Sequence, residues 1–257
     1  MPVNLVAETL RLGLFTSVAG KRLVHFEKLG STMDEAARQA RQGAAEGTVV
    51  IAEEQLGGRG RFQRPWVSPP GNLLLSVVLR PSIETLHYVG IIASLAVRSA
   101  IQQTTGLAPT LKWPNDVRLR GRKVSGILVE SAINETGVQY AILGIGVNVN
   151  FAPAAYPELA GAATSLSEET GKTVSRAALL KSLLEHLDRL YVGLRQGARP
   201  LKEWKALLDN LGKEVQVRWG DNVETGIAED VDETGNLILR RGDGSRVTVT
   251  AGDVSTR

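Results

Sequence analysis

Residues 72–81, NLLLSVVLRP, form a nearly unbroken apolar run with paired valines that stops at a proline. A strand with one wet face would alternate apolar and polar positions, so this run predicts a central strand in a covered sheet. The cover follows directly. Within 84–105, Leu86, Val89, Ala93, Ala96, Val97, Ala100 and Ile101 recur at three- and four-residue steps, and Gly106 ends the pattern. Those steps predict a helix lying on one face of the sheet. A chain of 257 residues, 43% hydrophobic, has enough material for one large domain with a full core, or a large domain with a small one.

The rest of the chain extends this layered pattern. STMDEAARQARQG at 31–43 predicts a helix with a capping-box variant, Ser31 reaching the turn of Asp34, and a stop at Gly43. TVVIAEEQ at 48–55 reads as a buried strand. From 111 to 150 the chain predicts three strands, LKWPNDVRL, KVSGILVESA and VQYAILGIGVNVN, joined by RGR and NETG into an antiparallel meander. Helices are expected near 4–15, at 175–196 after Ser175, and at 200–210 with Pro200 in the first turn. Past Gly212 the texture changes to short alternating strands punctuated by WGDN, DETGN and RGDGS. The expected organisation is α/β (α+β), with a domain of mixed or antiparallel sheet and helices over 1–211 and a small β-barrel over 212–257. The second piece is too small to be stable without packing on the first.

Composition removes several function classes. There are no cysteines, which excludes disulfides, thiolate zinc sites and cysteine nucleophiles and fits a reducing compartment. The N-terminal stretch lacks a signal-peptide layout, and the longest apolar runs, such as LLLSVVL at 73–79, fall well below the roughly 18 residues that span a bilayer. A cytoplasmic protein with no membrane contact is expected. The formal charge of +3 suits an anionic small molecule or acidic partner better than nucleic acid. GGRGRFQ lacks the ending of a P-loop, and neither it nor GIGVNVN has the third glycine of a dinucleotide fingerprint. His25, His87 and His186 stand in no metal-ligand spacing, and there is no G-x-S-x-G elbow.

Three clusters remain. In GGRGRFQRPW at 57–66, the glycines let backbone N–H groups approach a ligand, and Arg59 and Arg61 supply two guanidinium forks suited to carboxylate or phosphate. A mobile loop or an RGG-like nucleic-acid contact is the competing reading of that segment, and Trp66 favours a shielded anion site. In KWPND at 112–116, Pro114 interrupts the strand, holding Asn115 and Asp116 out of a regular ladder and bringing Lys112, Asp116 and Lys123 within reach through the hairpin. A bulge and edge lysines are the plain alternative. GIGVNVN at 144–150 ends a strand with two glycines and Asn148, leaving open backbone beside an amide.

Taken in order, STMDEA, AEEQLGGRGRFQRPW, SPPGNLLLSVVLRP, LKWPNDVRLRGRKVSGILVE and GIGVNVN resemble the biotin protein ligases, from about residue 22 to the end. The resemblance implies a catalytic domain related to class II aminoacyl-tRNA synthetases, followed by an SH3-like barrel. It implies condensation of biotin with ATP to biotinyl-5'-AMP, with Mg2+ as cofactor, and transfer of biotin to one lysine of a carboxyl carrier protein. Members of the family also form homodimers through an exposed sheet edge.

By the same resemblance, Ser31, Thr32 and Gln55 would meet the ureido end of biotin. Met33 stands where an asparagine or glutamine is often found, which leaves it backbone contact alone. Gly58, Arg59, Gly60 and Arg61 would close over biotin and phosphate, and Trp66 would lie beside adenine. Lys123 would serve the reacting carboxylate and phosphate. Asn115, Asp116 and Asn148 would surround the adenylate, Asp116 orienting the incoming amine, and Gly126 would admit the nucleotide closely. A lipoate ligase of the same fold lacks this GRGR loop. A biotin-responsive repressor carries a helix-turn-helix domain for which the roughly thirty residues before STMDEA leave no room, so DNA binding is not expected.

Overall fold

A computed structural model describes residues 5–256. Seven strands, β1 (Arg22–Leu29), β2 (Thr48–Gln55), β3 (Leu73–Leu79), β4 (Thr110–Lys112), β5 (Asp116–Leu119), β6 (Arg122–Asn134) and β7 (Gly137–Val147), form one mixed sheet in the order β1-β2-β3-β7-β6-β5-β4. Strands β1 and β2 run parallel, and the other neighbouring pairs run antiparallel. The parallel pair needs a crossover, supplied by helix α2 (Thr32–Arg41). The remaining helices are α1 (Leu5–Arg11), α3 (Tyr88–Thr105), α4 (Leu166–Thr170), α5 (Arg176–Arg195) and α6 (Leu201–Ala206).

Strand β3 is buried along its whole length, as its apolar run predicts, and its alternate residues serve two helix layers. Leu73, Leu75, Val77 and Leu79 join the core built with α3 and α5, whereas Val78 packs with Met33, Ala36 and Ala40 of α2. Between them Ser76 faces α2 and donates a hydrogen bond to the Thr32 hydroxyl at 2.9 Å. This contact seats the start of α2 against the middle of the sheet.

Several elements depart from expectation for identifiable reasons. Ser31 caps α2 by accepting from the Met33 N–H at 3.2 Å, and Asp34 pairs outward with Arg59. The segment expected as one strand, LKWPNDVRL, divides into β4 and β5 around Trp113–Asn115, with Lys112 paired opposite Asp116, so the meander has four strands. Helix α3 starts at Tyr88, because the chain before it closes a turn in which the Thr85 N–H donates to the Ser82 carbonyl at 3.1 Å. Helix α6 follows Pro200, its N-cap, and stops at Ala206. Beyond it Leu207 and Asp209 bond the backbone of Leu111, so β4 takes the residues that would have continued the helix. Helix α1 realises part of the helix expected near 4–15, whose residue 4 lies outside the described residues.

The C-terminal strands β8 (Glu214–Trp219), β9 (Asn222–Val231), β10 (Leu237–Arg240), β11 (Arg246–Val249) and β12 (Asp253–Thr256) form an antiparallel sheet in the order β11-β10-β9-β8-β12. Among the described residues β11 and β12 are its unpaired edges, so the expected barrel is an open sheet here. Val215, Val217, Leu237 and Leu239 belong to the same core as α3 and β3, which explains how so short a segment is stabilised. No helix among the described residues is long and apolar enough to cross a membrane.

Ile92 is fully buried in α3, and Ile133 is 54% exposed near the β6–β7 turn. Truncation of Ile92 to alanine is expected to cost about 2–5 kcal/mol, and the same change at Ile133 within about 0.5 kcal/mol. Urea denaturation of both variants checks the difference.

Candidate functional site

A cavity of about 410 Å³ lies where the start of α2, the end of β2 and the glycine-rich stretches of β6 and β7 converge. Ser31, Thr32, Met33 and Gln55 line one part, and Lys112–Asp116, Lys123 and Gly126 line another. The loop from Arg59 to Trp66 closes over it, with Asp253 and Val254 of β12 alongside.

Its room comes from glycines. Gly126 and Gly146 are opposed across β6 and β7. A Cβ at Gly146 would stand 2.6 Å from the Trp66 indole nitrogen, and one at Gly126 would stand 2.9 Å from the same ring. At Gly144 a Cβ would meet the Met33 sulfur at 2.7 Å. Bare backbone therefore forms the bed on which Trp66 and Met33 rest. The Trp66 indole N–H is buried and has no hydrogen-bond partner among the described residues.

The loop folds on itself. The Trp66 N–H donates to the Gly58 carbonyl and the Gly60 N–H to the Arg64 carbonyl, both at 2.8 Å. Its tip carries two consecutive non-glycine residues in the left-handed region, Phe62 (φ 55°) and Gln63 (φ 57°), a conformation costing roughly 1–3 kcal/mol each. Gly58 lies under the loop, where a Cβ would come within 2.7 Å of the Trp66 carbonyl and the Ser68 hydroxyl. It does not line the cavity, so its lack of a side chain serves loop packing.

Each cation of the site has a distinct setting. Arg59, 19% exposed, pairs with Glu130 at 3.0 Å and Asp34 at 2.8 Å, and donates to the Ser31 hydroxyl at 3.3 Å. Its pKa is raised, chiefly by the hydrogen bond it donates to Glu130 and then by Asp34. Arg61 donates to the Gly252 carbonyl at 3.1 Å, and burial pushes its pKa down. Arg64 pairs with Asp253. Lys123 lies 2.6 Å from Asp116 and 5.2 Å from the centre of the Trp66 ring. Burial lowers the pKa of Lys112, an effect that Asp116 opposes. With Arg59 held by Asp34 and Glu130 and Arg64 by Asp253, three cations (Arg61, Lys112 and Lys123) face two carboxylates (Asp116 and Glu158) on the lining. The excess favours an anionic ligand.

The other end is a closed polar network. The Gln55 carbonyl oxygen accepts from the Thr32 N–H at 2.7 Å and the Thr32 hydroxyl at 3.0 Å. The Gln55 amide donates to the Ser68 hydroxyl at 3.2 Å, which in turn donates to the Trp66 carbonyl at 2.9 Å. Gln55 therefore ties the start of α2 to the base of the arginine loop.

Of the residues singled out from the sequence, Ser31, Thr32, Met33, Gln55, Arg59, Gly60, Arg61, Trp66, Asn115, Asp116, Lys123 and Gly126 share this lining. Asn148, like Gly58, is off it. It is 3% exposed, and its amide donates to the Thr164 carbonyl at 3.0 Å. The segment it anchors flanks Lys123, whose backbone bonds Ala162 and Thr164. Sequence reasoning missed the Arg59 partners Asp34 and Glu130, and the Gly252–Asp253 contacts from the second sheet. Only the Glu130 position carried a signal, as the terminal acid of GILVE. No group of three or more His, Asp or Glu side chains able to hold a metal ion exists among the described residues.

The site is thus a basic cavity on a mixed sheet, beneath a glycine-arginine loop. Residues 26–148 match the Biotin/lipoate A/B protein ligase family, and residues 211–257 match the Biotin protein ligase C terminal domain. The chain is 39% identical to the biotin--[acetyl-CoA-carboxylase] ligase of Paracoccus denitrificans, over 80% of this chain and 88% of that one. It is 34% identical to the bifunctional ligase/repressor BirA of Bacillus subtilis, over 97% of this chain and 79% of that one. The biotin protein ligase of Aquifex aeolicus, solved in complex with biotin and ATP, superposes with a TM-score of 0.79 at 29% identity, covering 92% of this chain and 99% of that one. The chain belongs to the biotin protein ligase family.

The glycine bed makes a direct prediction. Gly146→Ala is expected to expel the Trp66 indole, with little loss of global stability because that side chain sits on a loop. Acrylamide quenching, taken as the difference between each protein and its Trp66→Phe counterpart, should rise in the variant. Unchanged quenching would mean that the indole does not rest on β7.

Proposed function

We propose that the chain activates biotin with ATP to biotinyl-5'-AMP and pyrophosphate, then transfers biotin to a lysine of a biotin carboxyl carrier protein. The observation that carries this reading is the cavity's division into a polar end at Ser31, Thr32 and Gln55 and a cationic end at Arg61, Lys112 and Lys123, under one loop. A ligand with an uncharged hydrogen-bonding head and a carboxylate tail, joined to a nucleotide phosphate, has that chemistry. Relatives named for biotin and acetyl-CoA carboxylase, and the Aquifex structure with biotin and ATP, support it.

In this reading Ser31 and Thr32 receive the ureido group, and Gln55 acts by holding Thr32. Met33 contributes an apolar surface, since its backbone N–H is already given to the Ser31 hydroxyl. Trp66 lies beside the adenine, on Gly126 and Gly146. The carboxylate oxygen attacks the α-phosphorus, and the bond to the leaving pyrophosphate breaks. Lys123 and Arg61 offset the repulsion between the two anions and the charge that develops in the transition state, while Arg59, held by Asp34 and Glu130, fastens the loop over them. Aligning two bound reactants is itself worth roughly 7–11 kcal/mol. As the ligand engages Lys123, Asp116 is released to orient the incoming lysine amine, whose neutral nitrogen attacks the acyl carbon, expels AMP and gives up its proton to the Asp116 carboxylate. Gly60 supplies backbone to the closed loop, which excludes water from the mixed anhydride. Asn115 keeps the turn in place by donating to the Ile127 carbonyl at 2.7 Å.

The donor set does not fit a resident metal, so the magnesium of this reading arrives with ATP as part of the nucleotide substrate. A division of the chain near residue 211 belongs to the same proposal, supported by the change from the seven-stranded to the five-stranded sheet. So does a cytoplasmic setting, where ATP is at hand.

Biotin-dependent exchange of labelled pyrophosphate into ATP, with lipoate in parallel, tests the reading. Exchange with biotin alone is expected, and exchange with lipoate alone would overturn the substrate. In the same assay Lys123→Ala is expected to lose about 3–4 kcal/mol of transition-state stabilisation, the scale of one preorganised donor. An unchanged rate would remove Lys123 from the chemistry.

A further inference from the structure

The Trp113–Asn115 turn, which delivers Asn115 and Asp116 to the cavity, is held from behind by the second sheet. Trp113 is 2% exposed. Its backbone N–H donates to the Asn210 side-chain oxygen at 3.0 Å, and its indole N–H donates to the Gly235 carbonyl at 2.9 Å. Gly235 belongs to the turn between β9 and β10, whose shape is set by Asp232. That carboxylate accepts from the Thr234 N–H, the Thr234 hydroxyl, the Asn236 N–H and the Asn236 amide, all within 2.8–2.9 Å. The turn is wedged in place. Gly235 has a φ of +86°, and a Cβ there would meet Ile91 of α3 at 3.0 Å, while the Tyr88 hydroxyl donates to the Glu233 carbonyl at 2.9 Å.

Resting on the ligase reading, we propose that Trp113 and the Asp232–Asn236 turn are positioning residues for adenylation. The second sheet fixes the depth of the Trp113 ring, the ring fixes the turn, and the turn sets Asp116 against Lys123. None of the 232–236 residues lines the cavity. Their influence therefore passes through Trp113. Because Ser31, Thr32 and Gln55 stand on other elements, disturbing this chain of contacts should slow the reaction while leaving biotin capture intact.

The test is the biotin-dependent exchange assay on the whole chain, with kcat and the KM for biotin measured separately. Trp113→Phe keeps the packed ring and removes the indole donor, so the Gly235 carbonyl loses its partner, and should lower kcat about tenfold with KM within about twofold. Gly235→Ala, acting from the second sheet, should give the same split. The double variant should be no slower than the worse single one, since both break one linkage. Arg246→Ala, on the exposed face of the same sheet, should change neither constant. A folded Trp113→Phe with kcat within about twofold of the parent would overturn the proposal, as would a loss carried by KM. Should Trp113→Phe not melt cooperatively, Asp232→Asn loosens the same turn and should show the same tenfold fall in kcat, and an unchanged kcat there would overturn the proposal equally. A parent chain without exchange would instead sink the ligase reading itself, an outcome distinct from any behaviour of the variants.

Discussion

Gly126 and Gly146 face each other across β6 and β7, and the absence of two side chains there governs what the site can contain. A sheet surface normally carries a layer of side chains about as thick as a methyl group or more. Here Trp66 lies directly on backbone, and Met33 does the same over Gly144. The seating of the arginine loop follows from this close approach, because the Trp66 carbonyl and N–H anchor the loop's base to Ser68 and Gly58. The cavity is the space left between that loop and the bare strands.

Charge is organised around the same space. Arg59 is neutralised by Asp34 and Glu130, and Arg64 pairs with Asp253. These arginines fasten the loop to α2, β6 and β12. Arg61 and Lys112, whose pKa values burial depresses, carry the charge that the protein itself balances least. Burying such groups carries a desolvation cost, which Asp116, Asp209 and Asp253 offset in part.

The second sheet takes part in both. It meets the loop through Gly252 and Asp253, and it meets the opposite side of the cavity wall through the Gly235–Trp113 hydrogen bond. Its strands also complete the core of α3 and β3. Five short strands without a core of their own gain stability from that contact, and the cavity gains two supports on which its charged groups depend.

Local chemistry made much of the fold legible. Covered strands at β2 and β3 follow from continuous apolar runs, and the ends of α2, α3 and α5 follow from Ser31, Gly106 and Ser175, whose caps act within a few residues. The glycine-arginine loop and the KWPND interruption were likewise readable, because glycine spacing and proline act on the backbone where they stand. What the sequence determined by itself was thus most of the elements, β1 and α4 excepted, and the residue types available to the site. Apart from Lys123 and Asp116, which the hairpin brings together, tertiary structure alone decided which charges meet. Arg59 finds Glu130 from 71 residues away and Arg61 finds Gly252 from 191, and no local preference encodes a partner at that distance. It also decided that Asn148 anchors the segment flanking Lys123 and that Gly58 packs under the loop. Whether a polar residue at a strand end faces a ligand or a neighbouring segment depends on what packs against it, and that is set only when the sheets and helices come together.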